Sequence, residues 1–141
     1  MITILVLIAI AGLVLALVIA VAVERGPSPG DVALAYELAW DRLDFTSLWT
    51  LSSSDLRDGR SRSDFVNDKE VAYRNQPRLR AVVDHVEVEA VAAHSRRSAS
   101  VLTRLDLRDE ASVHNEIRME RFSGSWRVVS YALRPEPASN P

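Results

Sequence analysis

The chain of 141 residues contains no cysteine. This absence excludes a disulfide scaffold, a cysteine-ligated metal centre and a lipid-modified cysteine anchor. Neither a glycine-rich phosphate-binding loop nor a serine-nucleophile motif is present. The three histidines lack ligand spacing, so no metal and no cofactor are predicted. The net charge is −2 and no basic face dominates, so nucleic-acid binding is not expected.

Charged side chains are missing from the first 23 residues, where only Thr3 and Gly12 interrupt an apolar run. Residues 2–23 are long enough to cross the ~30 Å hydrocarbon core of a bilayer as one helix. We therefore expect a transmembrane anchor at residues 1–23, with the lipid bilayer as partner, and a single-pass protein of the plasma membrane. The alternative is a cleaved signal peptide, since Ala20-Val21-Ala22 has a small-x-small pattern, although no basic region precedes the run.

Three small residues of this segment, Gly12, Ala16 and Ala20, are spaced four apart. They share one helix face, on which two transmembrane helices could pack closely. The side of the membrane that holds the soluble part stays open. Arg25 and Arg42 after the segment favour the cytoplasm, whereas a single N-terminal anchor more commonly has its N-terminus inside.

The remaining chain divides into a short linker at residues 24–28, one domain at 29–133 and a disordered tail at 134–141. Ser28-Pro29-Gly30-Asp31 is typical of a helix start, with a serine cap, a proline in the first turn and an acid three residues on. Helical spacing predicts three helices, which begin at Pro29, near Phe45 and near Ser63. The apolar stripe of the first is Val32, Ala35, Tyr36, Ala39 and Leu43.

After Pro77 the apolar residues recur at every second position, which is the period of a strand. Polar turns separate four such segments, and the first carries Val82, Val86, Val88, Ala90 and Ala92 on its apolar face. The last segment, Trp126 to Leu133, is partly apolar on both faces. The order of elements predicts an α+β domain in which three helices pack on one face of a four-stranded antiparallel sheet.

Three stretches in combination resemble the nuclear transport factor 2-like superfamily over Pro29 to Leu133. They are Val32-Ala33-Leu34-Ala35-Tyr36 with Trp40-Asp41-Arg42-Leu43-Asp44-Phe45, then Ser47-Leu48-Trp49-Thr50-Leu51-Ser52, and finally Gly124-Ser125-Trp126-Arg127-Val128-Val129-Ser130-Tyr131. The chain also resembles membrane-anchored actinobacterial members, and sixteen arginines against one lysine fit a GC-rich genome. The resemblance implies a curved sheet around a conical pocket, and the superfamily includes isomerases, dehydratases, cyclases and non-catalytic binding domains.

Catalytic members of this superfamily place polar side chains inside the cone, which makes Asp84, Asn115 and Tyr131 the candidate catalytic residues. A carboxylate in an apolar cone would have a raised pKa and could act as a general base. We expect instead that Asp84 lies solvated at the rim, so no catalytic role is assigned. The residues expected to line the pocket are Tyr36, Trp40, Trp49, Thr103 and Tyr131.

The function predicted on these grounds is a membrane-anchored, non-catalytic binding or assembly module. It would present the cone pocket or the sheet face to a protein or to a small apolar ligand. One alternative is a small isomerase, dehydratase or cyclase that uses Asp84, and a buried hydrogen-bonded acid in an apolar cone would favour it. Another is a homodimeric structural subunit of a membrane complex, since such sheets often pair face to face.

Overall fold

The structure is a computed structural model that describes residues 8, 10–18 and 26–134. Residues 10–18, which include Gly12 and Ala16, are helical and exposed. Within the described ranges, no helix combines the length and the apolar character that crossing a membrane requires. Ala20, residues 24–25 of the predicted linker and residues 135–141 of the predicted tail lie outside the described residues.

The first helix, α1 (Pro29–Arg42), begins where the sequence predicts. The backbone N–H of Asp31 donates to Ser28 Oγ at 3.2 Å, and the backbone N–H of Ser28 donates to Asp31 Oδ2 at 3.0 Å. These two bonds form a capping box, which satisfies amides that the first helical turn leaves unpaired. The helix ends at Leu43, which adopts a left-handed conformation with φ 53°.

Two further helices and one 3-10 turn follow. Asp44 caps α2 (Phe45–Leu51), and Ser61 caps α3 (Arg62–Tyr73), each by accepting a backbone N–H three residues on. All three predicted helices are therefore present, within about two residues of their predicted starts. The short 3-10 helix Pro77–Leu79, which the sequence did not indicate, leads into the sheet.

The sheet is a meander in which every strand pairs antiparallel with the next one along the chain. Its order confirms the predicted four-stranded antiparallel sheet and the α+β class. Arg134, the first residue of the predicted tail, is the last residue of the sheet. The strands are β1 (Val83–Ala93), β2 (Ser98–Leu107), β3 (Ser112–Phe122) and β4 (Ser125–Arg134).

A bulge in β1 changes which of its side chains face the helices. Val88 pairs with the buried Thr103, but after the irregularity it is Val91, not Ala90, that pairs with the buried Val101. The prediction that Ala90 and Ala92 continue the apolar face is therefore wrong. A bulge inserts one extra residue and so exchanges the two faces of the strand beyond it.

A second bulge, in β4, brings Tyr131 to the inner face. Val128 pairs with Met119 and Ser130 pairs with Arg118, which leaves Val129 as the extra residue. Val128 lies on the inner face before the bulge and Tyr131 lies on it afterwards. This exchange explains why the sequence of β4 is partly apolar on both faces.

The core lies between the helices and the inner face of the sheet. Ala33 is fully buried on α1, whereas Ala35, predicted in the stripe, is exposed. The buried face of α1 is therefore rotated from the predicted apolar stripe towards residues 33, 36, 37 and 40. These residues have the spacing of one helix face. The core is Val32, Ala33, Tyr36, Ala39, Phe45, Leu48, Phe65, Val101, Ile117, Met119 and Val128.

Candidate functional site

An acidic side chain, Glu37, lies in the core with only 1% of its surface exposed. It is four residues after Ala33 on α1, on the side of the helix that faces the sheet. Burying a carboxylate is costly unless protein donors replace the water that it loses. Three side chains of the sheet supply those donors.

The two carboxylate oxygens of Glu37 are shared among Thr103, Asn115 and Tyr131. Thr103 Oγ1 donates to Glu37 Oε1 at 2.6 Å, and Asn115 Nδ2 donates to the same oxygen at 3.0 Å. Tyr131 OH donates to Glu37 Oε2 at 3.0 Å. In addition, Asn115 Nδ2 donates to Tyr131 OH at 2.8 Å. We call these four residues the Glu37 network.

The register of the sheet makes the Glu37 network possible. Thr103 on β2 pairs directly with Asn115 on β3, so both side chains stand next to each other on the inner face. Asn115 in turn pairs with Leu133 on β4, and the bulge at Val129 places Tyr131 one inward position away from Leu133. Three neighbouring strands thus each contribute one donor beneath α1.

Burial and the nearby carboxylate act together on Tyr131. Loss of water around the phenol, then the charge of Glu37 and the hydrogen bond to it, raise the pKa of Tyr131. The pKa of Tyr36 is raised as well, chiefly by burial, and the charge of Glu37 adds to it. Both phenols therefore keep their protons at neutral pH, and Tyr131 acts as a hydrogen-bond donor to Glu37.

A cavity of about 380 Å³ lies beside the Glu37 network, between the C-terminal half of α1 and one end of the sheet. Glu37, Asn115 and Tyr131 form its polar side, and most of the remaining wall is apolar. Leu79 and Leu133, with 43% and 70% of their surfaces exposed, border its opening. The other lining residues are Trp40, Asp41, Leu43, Tyr73, Val82, Val83, Leu105, Leu107 and Val113.

One polar atom of a residue that lines the cavity, Asn115 Oδ1, is buried without a hydrogen-bond partner among the described residues. The indole N–H of Trp40 instead interacts with the hydroxyl of Tyr36, which opposes the rise that burial causes in the pKa of Tyr36. Buried polar groups are nearly always hydrogen-bonded, because an unpaired one costs about 1–3 kcal/mol. An acceptor left unused beside a cavity is suited to a ligand that donates a hydrogen bond.

The sequence-predicted site residues separate into those near the cavity and those away from it. Thr103, Asn115 and Tyr131 meet around Glu37, and Trp40 lines the cavity. Tyr36 packs against Tyr131, with ring centroids 5.4 Å apart.

Asp84 and Trp49 are not part of this arrangement. Asp84 is exposed on β1. Trp49 lies on α2, where its Nε1 donates to the carbonyl of Arg60 at 3.1 Å and the guanidinium of Arg57 stacks over its ring at 3.9 Å. Arg57 also donates to the carbonyl of Ser52, so this arginine supports the loop after α2.

Sequence reasoning missed Glu37, although the sequence contains a signal for it. Ala33, Tyr36 and Trp40 lie three or four residues apart, and Glu37 falls within the face that they define. An acid inside an apolar helix face, together with the polar interruptions Thr103 and Asn115 on inner strand faces, indicates a buried polar network.

The described residues hold no group of three or more metal-ligating side chains. Each histidine instead has a separate partner on or near the sheet. His114 Nε2 lies 3.3 Å from Glu89, and His94 Nε2 lies 2.8 Å from Ser100 Oγ.

No protein-family model, curated protein or solved structure gave a significant match to this chain. The geometry of the site therefore carries the functional argument.

Proposed function

We propose that this protein is a membrane-anchored binding domain for a small, largely apolar molecule that bears one uncharged polar group. The observation that carries this proposal is the cavity of about 380 Å³ with Asn115 Oδ1 unpaired beside it. Ligand cavities in proteins are commonly about 300–1,000 Å³, mostly apolar, with a few polar groups that orient the ligand.

The polar group of the ligand follows from the unpaired acceptor. A hydroxyl or a primary amide can donate to Asn115 Oδ1. An anionic group is disfavoured, because it would lie in a low-dielectric cavity beside the carboxylate of Glu37. The preferred ligand is therefore a neutral alcohol or amide with an apolar body.

Binding is favoured over catalysis because protein donors already occupy three of the roughly four lone-pair positions of the Glu37 carboxylate. Oε1 accepts two hydrogen bonds and Oε2 accepts one, all from protein side chains. A general base needs a lone pair directed at the proton that it removes. The donors of Thr103, Asn115 and Tyr131 make Glu37 a structural anchor for the polar wall of the cavity.

We further propose that residues 2–23 anchor the chain in a bilayer and that the domain has the nuclear transport factor 2-like cone. The absence of charge from residues 1–23 supports the anchor. The packing of the helices on one face of a four-stranded meander, with a cavity between them at one end, supports the cone.

The binding proposal is tested with two probes that share a naphthalene ring, the neutral 2-naphthol and the anionic 2-naphthoate. The full-length protein in lipid nanodiscs is titrated calorimetrically, with empty nanodiscs as the blank. We expect saturable binding of 2-naphthol and at least about tenfold weaker binding of the anion.

Two phenylalanine substitutions locate the binding site of the probe. Val113→Phe fills the cavity and is expected to abolish 2-naphthol binding. Leu102→Phe, on the outer face of β2, makes a comparable change away from the cavity and should leave binding intact. Equal binding by the two variants, or no binding by the unmodified protein, would overturn the proposal.

A second candidate function is proton-transfer catalysis of the isomerase or dehydratase kind. The observation that favours it is a buried, hydrogen-bonded acid in an apolar cavity, with Glu37 instead of the exposed Asp84 as the acid. Exchange of the α-protons of cyclohexanone in D₂O, followed by proton NMR, tests this activity. Faster exchange with the unmodified protein than with Glu37→Gln supports catalysis, and equal rates exclude this activity.

A further inference from the structure

The end of the sheet opposite the cavity carries a cluster of basic side chains around the point where the chain enters the domain. The β1–β2 turn brings Arg96 and Arg97 there, and the β3–β4 turn follows Arg121 and Phe122. The four residues line one concavity together with Gly26 and the turn itself. We call this the hairpin-end surface.

Backbone hydrogen bonds hold the two turns together. The N–H of Arg121 donates to the carbonyl of Arg97 at 2.8 Å, and Arg121 Nε donates to the carbonyl of Gly124 at 3.1 Å. In the β1–β2 turn, the N–H of Arg97 donates to Ser95 Oγ at 3.0 Å. The arginines are therefore presented by an ordered pair of turns.

Arg96 and Arg97 give the hairpin-end surface two exposed positive charges. No acidic residue is among the described residues that line the concavity, and the contacts described for Arg96 and Arg97 include no ion pair. The nearest acid along the strand is Glu120, which is exposed on β3. Phe122, with 47% of its surface exposed, adds an apolar ring beside the charges.

The position of Gly26 relates this surface to the uncharged N-terminal segment. A Cβ on Gly26 would lie 3.9 Å from the carbonyl oxygen of Gly124, so the chain passes directly against the β3–β4 turn. Only residues 24 and 25 separate Gly26 from the apolar run that ends at Val23. The three residue steps from Val23 to Gly26 span at most about 11 Å, so a bilayer that holds residues 2–23 lies close to this turn.

We propose that the hairpin-end surface docks on an anionic phospholipid membrane, with Arg96 and Arg97 at the phosphates and Phe122 at the interface. This inference rests on the anchor in the proposed function. Arginines near an anionic bilayer each strengthen attachment roughly fivefold at physiological salt, and exposed aromatic rings favour the headgroup region. Docking fixes the orientation of the domain on the membrane, which the anchor alone does not.

The test uses a fluorescent label on a single introduced cysteine, since the chain contains none. Ser125→Cys places the label at the hairpin end, and Ala111→Cys places it in the β2–β3 turn at the opposite end. Both proteins are reconstituted at full length into phosphatidylcholine vesicles, with and without roughly a third phosphatidylglycerol. A headgroup-depth quencher on the lipid reports the distance of each label from the membrane.

We expect the label at position 125 to be quenched at least about twofold more in the anionic vesicles, and the label at 111 to show no such increase. The double variant R96S/R97S should remove the increase. The matched control R74S/R78S, which removes two exposed arginines near the cavity end, should retain it. Salt at about 0.5 M should also suppress the increase, because it screens exposed charges.

Two outcomes overturn the inference, and flotation of the vesicles distinguishes them. If the protein floats with both vesicle types but quenching does not depend on phosphatidylglycerol or on Arg96 and Arg97, docking is wrong and the anchor stands. If the protein floats with neither vesicle type, the anchor in the proposed function fails and docking fails with it.

Discussion

At the scale of single residues, Glu37 owes its place in the core to partners that come from three strands. Thr103, Asn115 and Tyr131 together provide three donors to its carboxylate. Removing one partner of such a buried group is costly, because the others are left without water and without a hydrogen bond. Replacing Glu37 should therefore lower the stability of the protein more than the change in side-chain volume alone would.

Glu37→Leu should lower the free energy of unfolding by about 3 kcal/mol or more, because it leaves the donors of Thr103 and Tyr131 unpaired. Glu37→Gln keeps one acceptor oxygen and should cost about 1 kcal/mol. Urea unfolding of the full-length protein in mild detergent measures both values. The matched control is Glu70→Leu on the exposed side of α3, for which a change within about 0.5 kcal/mol is expected. Equal effects of the two leucine variants would contradict the structural role of Glu37.

The raised pKa of Tyr131 predicts a loss of stability at high pH. In the unfolded chain a tyrosine loses its proton near pH 10, whereas folded Tyr131 retains it because of burial and of Glu37. The unfolded state then binds fewer protons, so stability is unaffected below about pH 10 and falls as the pH rises above it. The total loss of stability is smaller than full burial would give, because 37% of the surface of Tyr131 is exposed and solvent screens part of the shift in its pKa.

Tyr131→Phe should make this decline shallower, as measured by urea unfolding between about pH 9 and pH 11. The decline should not vanish, since Tyr36 also has a raised pKa and remains in the variant. Identical slopes for the variant and the unmodified protein would show that Tyr131 does not contribute.

At the scale of elements, the bulge after Val88 in β1 and the bulge at Val129 in β4 determine which side chains meet. If Val129 were paired in regular alternation, Tyr131 would point to the outer face and could not reach Glu37. In the sequence, this bulge is indicated by apolar residues on both faces of β4. Hydrophobic alternation alone does not locate a bulge, which is why the prediction for Ala90 and Ala92 in β1 was wrong.

Deletion of Val129 removes the extra residue and restores regular alternation in β4, so Val128 and Tyr131 both stay on the inner face. The deletion should therefore cost no more than Tyr131→Phe, which removes the hydroxyl that donates to Glu37 and should cost about 1 kcal/mol in urea unfolding. A deletion variant clearly less stable than Tyr131→Phe would show that the bulge itself stabilises β4.

At the scale of the whole molecule, local signals predicted the elements and could not predict the site. The capping residue Ser28 and the alternation along β2 and β3 act over a few residues, so the sequence alone indicates them. The burial of Glu37 depends on Thr103, 66 residues away, and on Tyr131, 94 residues away. No local sequence pattern shows contacts over such distances. The polar residues on the strands were therefore predicted as site residues, but Glu37, the acid that they all contact, was not.

The cavity and the hairpin-end surface lie at opposite ends of strands that are 10 or 11 residues long. Such strands are roughly 33 Å in length. With the hairpin end proposed at the membrane, the opening bordered by Leu79 and Leu133 faces the aqueous phase. A ligand would then enter from solution and not from the bilayer.

The meander also determines when the Glu37 network can form during synthesis. Every strand pairs only with its neighbour along the chain, so each hairpin can close as soon as its two strands have emerged. Glu37 emerges early on α1, but its bond to Tyr131 closes over 94 residues, within the last strand. A nascent chain that stops before Tyr131 therefore has three complete strands and a carboxylate that still lacks one donor. Completion of the core is thus tied to the emergence of β4.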